Sequence, residues 1–359
     1  MKVNGLHGTP LEALLPPYGG GSGRGLYGGG SVRGLLFFLC ILLFASCDDR
    51  GGSLLPPSGG KLFETLLVGD SNDIVRNALQ TDMPGLPQSE PQWDVSSVDS
   101  SAFGSSLKVT RNIVIVRTSP ALYSTVRIRY ERNVWAEPQM VITLTAPTAK
   151  VINDSINRVA PTLLRLLNRS EMGKTLSLLR TQRNIKAERM VDSIFHIHMW
   201  IPLDMTACRK GKDFLWLSNN SPTIMNNIVI YRTPVHDNFI ASRDSALGLN
   251  IKGETDRMQM ATVAQTVMQN ENGSFYRGLW EMQGDNMGGP FISRRIKTAD
   301  GKGELNIEGF VFAPGKAKRN PIRQLEAVLY SVNRKLTAQQ TGQKIGQKNV
   351  QKNKQENKR

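Results

Sequence analysis

The sequence predicts an α+β protein in which amphipathic helices pack on mixed or antiparallel sheets. Short runs rich in β-branched residues, such as 112–116, are typical of strands. A long central run, 149–195, carries apolar residues at helical spacing. Strand-like runs stand in blocks on both sides of this run, so strands and helices are segregated along the chain, as in α+β folds.

Two strand-like runs nearly repeat, NIVIVRTSP at 112–120 and NIVIYRTP at 227–234. Each is followed, some distance on, by further strand-like runs and then by a helical run. The repeat fits two similar halves produced by duplication, and it fits equally a chance likeness between two apolar strands. The sequence leaves both alternatives open.

The predicted first α+β half spans 61–169. Its strand-like runs are 61–69, 112–116, 125–136 and 139–147, and 74–80 is a short helix. Val126, Ile128 and Tyr130 alternate along one of these strands, which predicts one dry face. A helix over 149–169 ends this half, and Pro161 predicts a kink or break within it.

The predicted second half, 170–336, begins with a long helix over 170–195, for which Ser170 is the expected N-cap. Its strand-like runs are 192–204, 213–218, 227–234, 276–283, 290–299 and 304–314, and 237–250 is a short helix. The last three strands are expected to form a meander, with a hairpin turn at Asp300-Gly301-Lys302-Gly303. An amphipathic helix over 320–336 closes the fold.

The N-terminal part ends in the stretch LLFFLCILLFASCDDR, 35–50. Its apolar run is shorter than the roughly 20 residues that span a bilayer. The run has the length of a signal-peptide core, and Arg33 precedes it. LFASC resembles a bacterial lipobox, which predicts cleavage between Ser46 and Cys47 and acylation of Cys47. The alternative is an ordinary secretory signal with an incidental cysteine.

The segments around this signal follow from their composition. Residues 1–46 are the predicted signal peptide, although the Gly-rich stretch 1–31 is unusual and translation starting at Val32 would explain it. Residues 47–60 form a predicted tether after the lipidated cysteine. Residues 337–359 are polar, basic and without apolar periodicity, so we expect a disordered tail.

The net charge of +15 would suggest nucleic acid as a partner, but its distribution does not. Residues 334–359 carry +7 and 1–46 carry +2, which leaves the body with +6. An exported protein with this balance is expected to have no nucleic-acid partner. Of the three cysteines, only Cys208 would remain unmodified in the mature chain, so no internal disulfide is expected. Cys208 is interpreted as a small core residue.

Several long blocks resemble one family. They are DMPGLPQSEPQWDVSSV (82–98), RNIVIV (111–116), ERNVWAEPQMVITLTAP (131–147), GKDFLWLSNN (211–220), RDSALGLNIKGE (243–254), RGLWEMQGDNMGGPF (277–291) and EGFVFAPGKAKRNPIRQLEAVLYS (308–331). The chain resembles the Bacteroidota lipoprotein family catalogued as domain of unknown function 4837, over roughly 61–335. The resemblance implies a lipid-anchored protein of the cell envelope, and we expect the outer membrane, with the face left open. It implies no substrate, cofactor or catalytic residue.

The most distinctive loop runs from Gly284 to Pro290, and glycines in such a loop let backbone amides point at an anion. The alternative is a structural connection between two strands. The candidate binding residues around the loop are Trp280, Glu281, Asp285, Gly288, Gly289 and Arg294. Glu281 paired with Asp285 or Glu308 would suit a glycan or envelope-polymer hydrolase if the carboxyl groups lay about 5–10 Å apart.

Other chemistry has little support in the sequence. His196 and His198 would share one face of a strand, but a metal site needs a third ligand, and only His236 or an unassigned carboxylate could supply it. No metal and no cofactor is predicted, and no GxSxG, P-loop, HExxH or CxxC motif occurs. The sequence favours a non-enzymatic binding or structural component that has an envelope protein or glycan as partner. The hydrolase is the alternative.

Overall fold

The computed structural model describes residues 54–334, apart from 236–237, 256, 271 and 299–300. The predicted signal peptide, Cys47 and the basic tail lie outside the described residues, as do His236 and Asp300. Within the described ranges, no helix is both long enough and apolar enough to cross a membrane.

The described residues form helices, strands and one 3-10 turn at Ser100–Ala102. The helices are α1 (Ile74–Leu79), α2 (Ser105–Lys108), α3 (Ala149–Thr181), α4 (Ile185–Phe195), α5 (Phe239–Asn250) and α6 (Arg319–Tyr330). The strands are β1 (Glu64–Val68), β2 (Asp94–Val98), β3 (Asn112–Thr118), β4 (Arg127–Arg132), β5 (Met140–Ala146), β6 (Ile197–His198), β7 (Ala207–Gly211), β8 (Phe214–Ser218), β9 (Met225–Pro234), β10 (Met260–Gln269), β11 (Phe275–Met282), β12 (Gly288–Lys297), β13 (Gly303–Phe312) and β14 (Asn333–Arg334). The α+β prediction is confirmed.

The first sheet has five strands in the order β2-β1-β3-β5-β4. All its pairs are parallel except β4 with β5. The strand β3 is buried throughout its first five residues, of which all but Asn112 are apolar. Both of its faces are covered, one by α1 and α3 and the other by the segment around Phe103 and Trp135. At the edge, β4 is largely exposed, and Tyr130 keeps 53% of its surface. The predicted dry face on this strand is therefore wrong at Tyr130.

The central helical run divides at a different place from the one predicted. A single helix, α3, continues through both Pro161 and Ser170, and it ends at Thr181. The side chain of Thr148 caps its start by accepting from Val151 N. Ser170 is not an N-cap because the buried face of the helix continues beyond it, through Glu171 to Leu179. The predicted boundary between 169 and 170 therefore falls inside α3, and the actual break precedes α4.

The second sheet has seven antiparallel strands in the order β10-β11-β12-β13-β9-β8-β7. The predicted meander of β11, β12 and β13 is confirmed, whereas β7 and β10 were not predicted. α6 covers one face with a large apolar cluster, and α5 lies against the opposite face. The predicted strand over 192–204 is mostly wrong, because α4 extends to Phe195 and only Ile197–His198 forms a strand.

The two similar strands lie in sheets of different topology. β3 has parallel neighbours on both sides, whereas β9 has antiparallel neighbours on both sides. This difference favours a chance likeness between two apolar strands over a duplicated module.

Cys208 is exposed, so its interpretation as a core residue is wrong. It lies on β7, which is the last strand of the second sheet and has no strand beyond it among the described residues. An edge strand buries fewer of its side chains than a central one.

Candidate functional site

Gly288 and Gly289 of the 284–290 loop lie where the sheet has no room for a side chain. A Cβ atom on Gly289 would overlap the carbonyl oxygen of Val311, and one on Gly288 would lie 2.8 Å from the carbonyl oxygen of Trp280. Both glycines therefore stand where neighbouring backbones approach closely. The loop fits the structural-connection alternative, since two backbone hydrogen bonds close it onto β11, from Met282 N to Met287 O and from Asp285 N to Met282 O.

The three carboxylates proposed for a hydrolase do not converge. Glu281 lies opposite Gly288, and Glu308 lies opposite Ser293, five residues farther along β12. At roughly 3.3 Å per residue they are about 17 Å apart along the strand direction, and the odd offset places them on opposite faces. Glu281 and Asp285 are exposed, whereas Glu308 is completely buried. Glu281 and Glu308 therefore do not form the carboxylate pair that the hydrolase hypothesis requires.

The remaining predicted site residues also lie on different faces of the sheet. Trp280 is buried on the face that carries α5. Arg294 points to the opposite face, where its Nη1 donates to the carbonyl oxygens of Leu329 and Val332 at the end of α6. Arg294 therefore satisfies helix carbonyls. Of the six predicted residues, Trp280 lines the cavity described below.

The two histidines of the His196-Ile197-His198 run do not share a strand face. His196 ends α4 in the left-handed region at φ 57°, and only His198 lies on β6. Both side chains are exposed. Among the described residues, no group of three His, Cys, Asp or Glu side chains is arranged to hold a metal ion.

A largely apolar cavity of about 360 Å³ opens on the α5 face of the second sheet. This volume lies within the range of about 300–1,000 Å³ that is usual for small-molecule sites. Strands β7, β8, β9, β11 and β13 and the 251–253 segment after α5 supply most of its wall. The lining residues are Ala207, Cys208, Arg209, Trp216, Ser218, Asn220, Met225, Asn227, Ile251, Lys252, Gly253, Met260, Trp280, Met282, Met287, Phe310 and Phe312. We call this space the apolar cavity.

Aromatic rings form the rigid part of its wall. The ring of Phe310 lies 5.4 Å from Trp280 at 73° and 6.3 Å from Trp216. Phe312 lies 6.4 Å from Trp280 on the same side. These edge-on and tilted contacts fix the rings against one another. Four methionines complete the wall, and their flexible thioethers adapt to the shape of an occupant.

The polar atoms within this wall bond to the protein itself. Trp216 Nε1 donates to Asn227 Oδ1 at 2.9 Å, and Trp280 Nε1 donates to Val311 O at 3.3 Å. Asn227 Nδ2 in turn donates to Met225 O at 3.2 Å. Because these donors are already used, an occupant of the apolar cavity meets mainly hydrocarbon, sulfur and aromatic surface along this part of the wall.

The mouth of the apolar cavity is cationic. Arg209 and Lys252 line it, and no Asp or Glu belongs to the lining that the structure describes. Arg209 is exposed and lies directly opposite Trp216 in the β7–β8 pair, so both side chains lie on one face. Lys252 makes one long contact, from Nζ to Gln259 Oε1 at 3.4 Å. Positive charge therefore adjoins the aromatic wall.

A buried charged cluster stands beside the apolar cavity. The guanidinium of Arg243 reaches Glu308, Thr262 and the sulfur of Met260, and it lies 4.1 Å from the Phe291 ring centroid. Burial raises the pKa of the neighbouring Tyr231 hydroxyl well above its usual range. This cluster holds α5 against the sheet and keeps Met260 in place in the wall.

The sequence contained a signal for this site. Trp280 and Met282 are two residues apart, as are Phe310 and Phe312, and that spacing puts each pair on one face of its strand. The cavity also needs residues from β7, β8 and β9. Their order across the sheet depends on long-range pairing, which the local sequence does not encode.

Two protein-family models match parts of the chain, and one of them covers this site. Residues 184–331, which contain the whole apolar cavity, match the model of one protein family. That family is the domain of unknown function DUF4837. The resemblance found in the sequence is therefore supported, but over the DUF4837 segment alone.

A second family model, the domain of unknown function DUF8532, matches residues 62–180. The division between the DUF8532 and DUF4837 segments coincides with the break between α3 and α4. No curated protein matches the chain. Among solved structures, the Ran-binding protein Mog1p of Saccharomyces cerevisiae is similar at 9% identity and a TM-score of 0.27, with 38% of this chain and 89% of that chain covered. Similarity at this level supports no inference about fold or function.

Proposed function

We propose that the chain is an exported protein of the cell envelope, anchored by lipid on Cys47, which binds a partner and catalyses no reaction. The anchor rests on the LFASC sequence at 43–47, where small residues precede the cysteine. A lipoprotein cysteine that carries more than one acyl chain holds a protein firmly at a membrane. The resemblance to lipoproteins of Bacteroidota supports the outer membrane as the location.

The apolar cavity is the observation that carries the binding role. It combines a fixed aromatic wall, adaptable methionines and a cationic mouth, as ligand-binding pockets do. Glu281 and Glu308, one carboxylate pair considered for hydrolysis, lie on opposite faces of the sheet, so this pair does not support the hydrolase alternative. The partner expected from the sequence was an envelope protein or glycan. The apolar wall favours an apolar ligand, because a glycan needs many unoccupied hydrogen-bonding groups.

Palmitate labelling in the native host tests the anchor. The Cys47→Ala variant is expected to lose the label and to remain as an unprocessed precursor, whereas Cys40→Ala and Cys208→Ala keep the label. The two control variants remove the other cysteines, so they separate lipobox acylation from labelling of any thiol. Undiminished labelling of Cys47→Ala would contradict the anchor.

Fractionation of the same cells tests the location. The wild-type chain is expected with the outer membrane, and protease treatment of whole cells then distinguishes the surface face from the periplasmic face. Recovery of the mature wild-type chain in a soluble fraction would overturn the proposed function.

A further inference from the structure

We propose that the apolar cavity binds a single-chain amphiphile with an anionic head group, for which a long-chain fatty acid is the simplest case. This inference rests on the proposed binding function and names the ligand class for the same site. It follows from the wall, the mouth and the size of the cavity.

The wall requires an apolar tail. Trp216 and Trp280 have used their only donors within the protein, and Asn227 is bonded to the backbone. An occupant with buried hydroxyl or amide groups would leave those groups without partners, at a cost of roughly 1–3 kcal/mol each. An alkyl chain has no such groups, and it gains from each methylene removed from water.

The mouth requires a negative head. Arg209 and Lys252 are its charged side chains, and within the part of the chain that the structure describes neither forms an ion pair with a carboxylate. Arg209 stands across from Trp216, so a head group held by Arg209 continues directly into a tail against the indole. A carboxylate accepts a two-pronged hydrogen bond from a guanidinium, which fixes its position.

The size indicates one chain. A volume of about 360 Å³ is at the low end for small-molecule sites. A diacyl lipid would leave its second chain outside, against the exposed 208–210 edge. Four methionines let the wall accommodate tails of different length and unsaturation.

Photo-crosslinking on the full-length chain tests the proposal. Isolated membranes that carry the chain are treated with a palmitate analogue bearing a diazirine near the tail end, and labelled peptides are mapped by mass spectrometry. We expect labels on peptides that contain Met282, Met287 or Phe312, and displacement by unlabelled palmitate. Labels confined to peptides outside the cavity lining, or equal displacement by phosphatidylglycerol vesicles, would overturn the single-chain assignment.

Charge reversal at the mouth provides the matched comparison. Arg209→Glu with Lys252→Glu is expected to raise the palmitate concentration for half-displacement about ten-fold, as loss and reversal of two surface ion pairs would. Arg127→Glu with Arg129→Glu makes the same charge change on exposed β4 of the other sheet. This control is expected to leave the palmitate concentration for half-displacement unchanged. Equal weakening in both double variants would show attraction by overall charge and would overturn the site.

A steric variant separates this inference from the proposed function. Ala207→Trp fills the cavity from edge strand β7 and is expected to abolish cavity labelling, while anchoring and outer-membrane location stay intact. Persistent labelling of the cavity peptides would contradict the inference alone. Loss of outer-membrane location in the wild type would contradict the proposed function, whatever the crosslinking result.

Discussion

Arg243 and Glu308 form a fully buried ion pair between α5 and the centre of the second sheet. The Nη2 atom of Arg243 lies 2.7 Å from Glu308 Oε1, and its Nε atom lies 3.0 Å from Oε2. Both side chains have no exposed surface. A buried charge without its partner is strongly unfavourable, so each residue stabilises the fold mainly by neutralising the other.

Removal of one partner of this ion pair is expected to destabilise the protein. Glu308→Gln keeps the shape but removes the buried carboxylate partner of Arg243 and leaves only the partly exposed Asp244, whose Oδ1 lies 3.4 Å from Nη1. The loss is expected to lower the free energy of unfolding by about 3 kcal/mol. Arg243→Met with Glu308→Gln removes both charges and is expected to recover part of this loss. Urea unfolding of the two variants measures the difference. A double variant less stable than Glu308→Gln would show that the charges do not act as a pair.

Glu90 caps α6 from a distant part of the chain. Its carboxylate accepts from the backbone N–H groups of Lys318 and Arg319, at 2.7 and 2.9 Å. Glu90→Ala is expected to lower the free energy of unfolding by about 2 kcal/mol, because two helix N–H groups and the positive end of the helix lose an acceptor. Glu131→Ala removes an exposed carboxylate on β4 and is expected to change stability little. Equal effects from both substitutions would rule out the cap.

Two glycine substitutions distinguish close packing from open space. Gly289→Ala would push a methyl group into the Val311 carbonyl and is expected to destabilise the protein by about 3 kcal/mol. Gly173→Ala lies at an exposed position of α3, where the new Cβ would meet nothing within 4 Å beyond its neighbours and the nearby backbone of the helix, and it is expected to stabilise the protein by about 1 kcal/mol. Thermal unfolding compares them. A neutral Gly289→Ala would mean that the loop tolerates side chains and that its glycine serves another purpose.

Because Lys174 is buried, we expect its contribution to the free energy of unfolding to rise with pH. Burial lowers the pKa of its ammonium group to about 8, although the carboxylate of Glu171 opposes this shift. Between about pH 8 and the unfolded value of 10.5, the unfolded chain binds a proton that the folded chain does not, so raising the pH favours the folded state. Across this window the gain is about 3 kcal/mol at most.

The Lys174→Met variant serves as the reference, because it shares every other titrating group. We expect the difference in unfolding free energy between wild type and variant to move in favour of the wild type from pH 8 to pH 10. Nζ of Lys174 donates to Arg111 O and Asn112 Oδ1, and those bonds persist for a neutral amine. A flat difference, or one that moves against the wild type, would contradict the lowered pKa.

Local pattern predicted the individual elements of this fold better than it predicted their limits and partners. The apolar run of β3 and the alternation of the β11–β13 meander follow from period and composition, and both are present. Ser170 has the features of an N-cap, yet α3 continues because Glu171 is buried against Arg111 and Asn112. A tertiary contact thus outweighed a local preference, and the contact partners lie about 60 residues away.

The site was harder to predict for the same reason. The sequence suggested Trp280, which does line the apolar cavity, and it grouped Trp280 with Glu281 and Arg294 by proximity along the chain. Side chains of adjacent strand residues point to opposite faces of a sheet. Trp280 and Glu281, which are neighbours in the sequence, therefore do not belong to one site. Arg209 and Lys252 reach the cavity through pairings across the sheet that no local pattern reports.

Quenching of tryptophan fluorescence by a brominated fatty acid tests the central claim, that the apolar cavity is the ligand site, most directly. The full-length chain in lipid nanodiscs has five tryptophans, of which Trp216 and Trp280 line the cavity. We predict saturable quenching that disappears in the Trp216→Phe, Trp280→Phe double variant and persists in Trp135→Phe, with Trp135 on the first half of the chain. Quenching that survives in the double variant would place the fatty acid elsewhere and contradict the assignment of the apolar cavity.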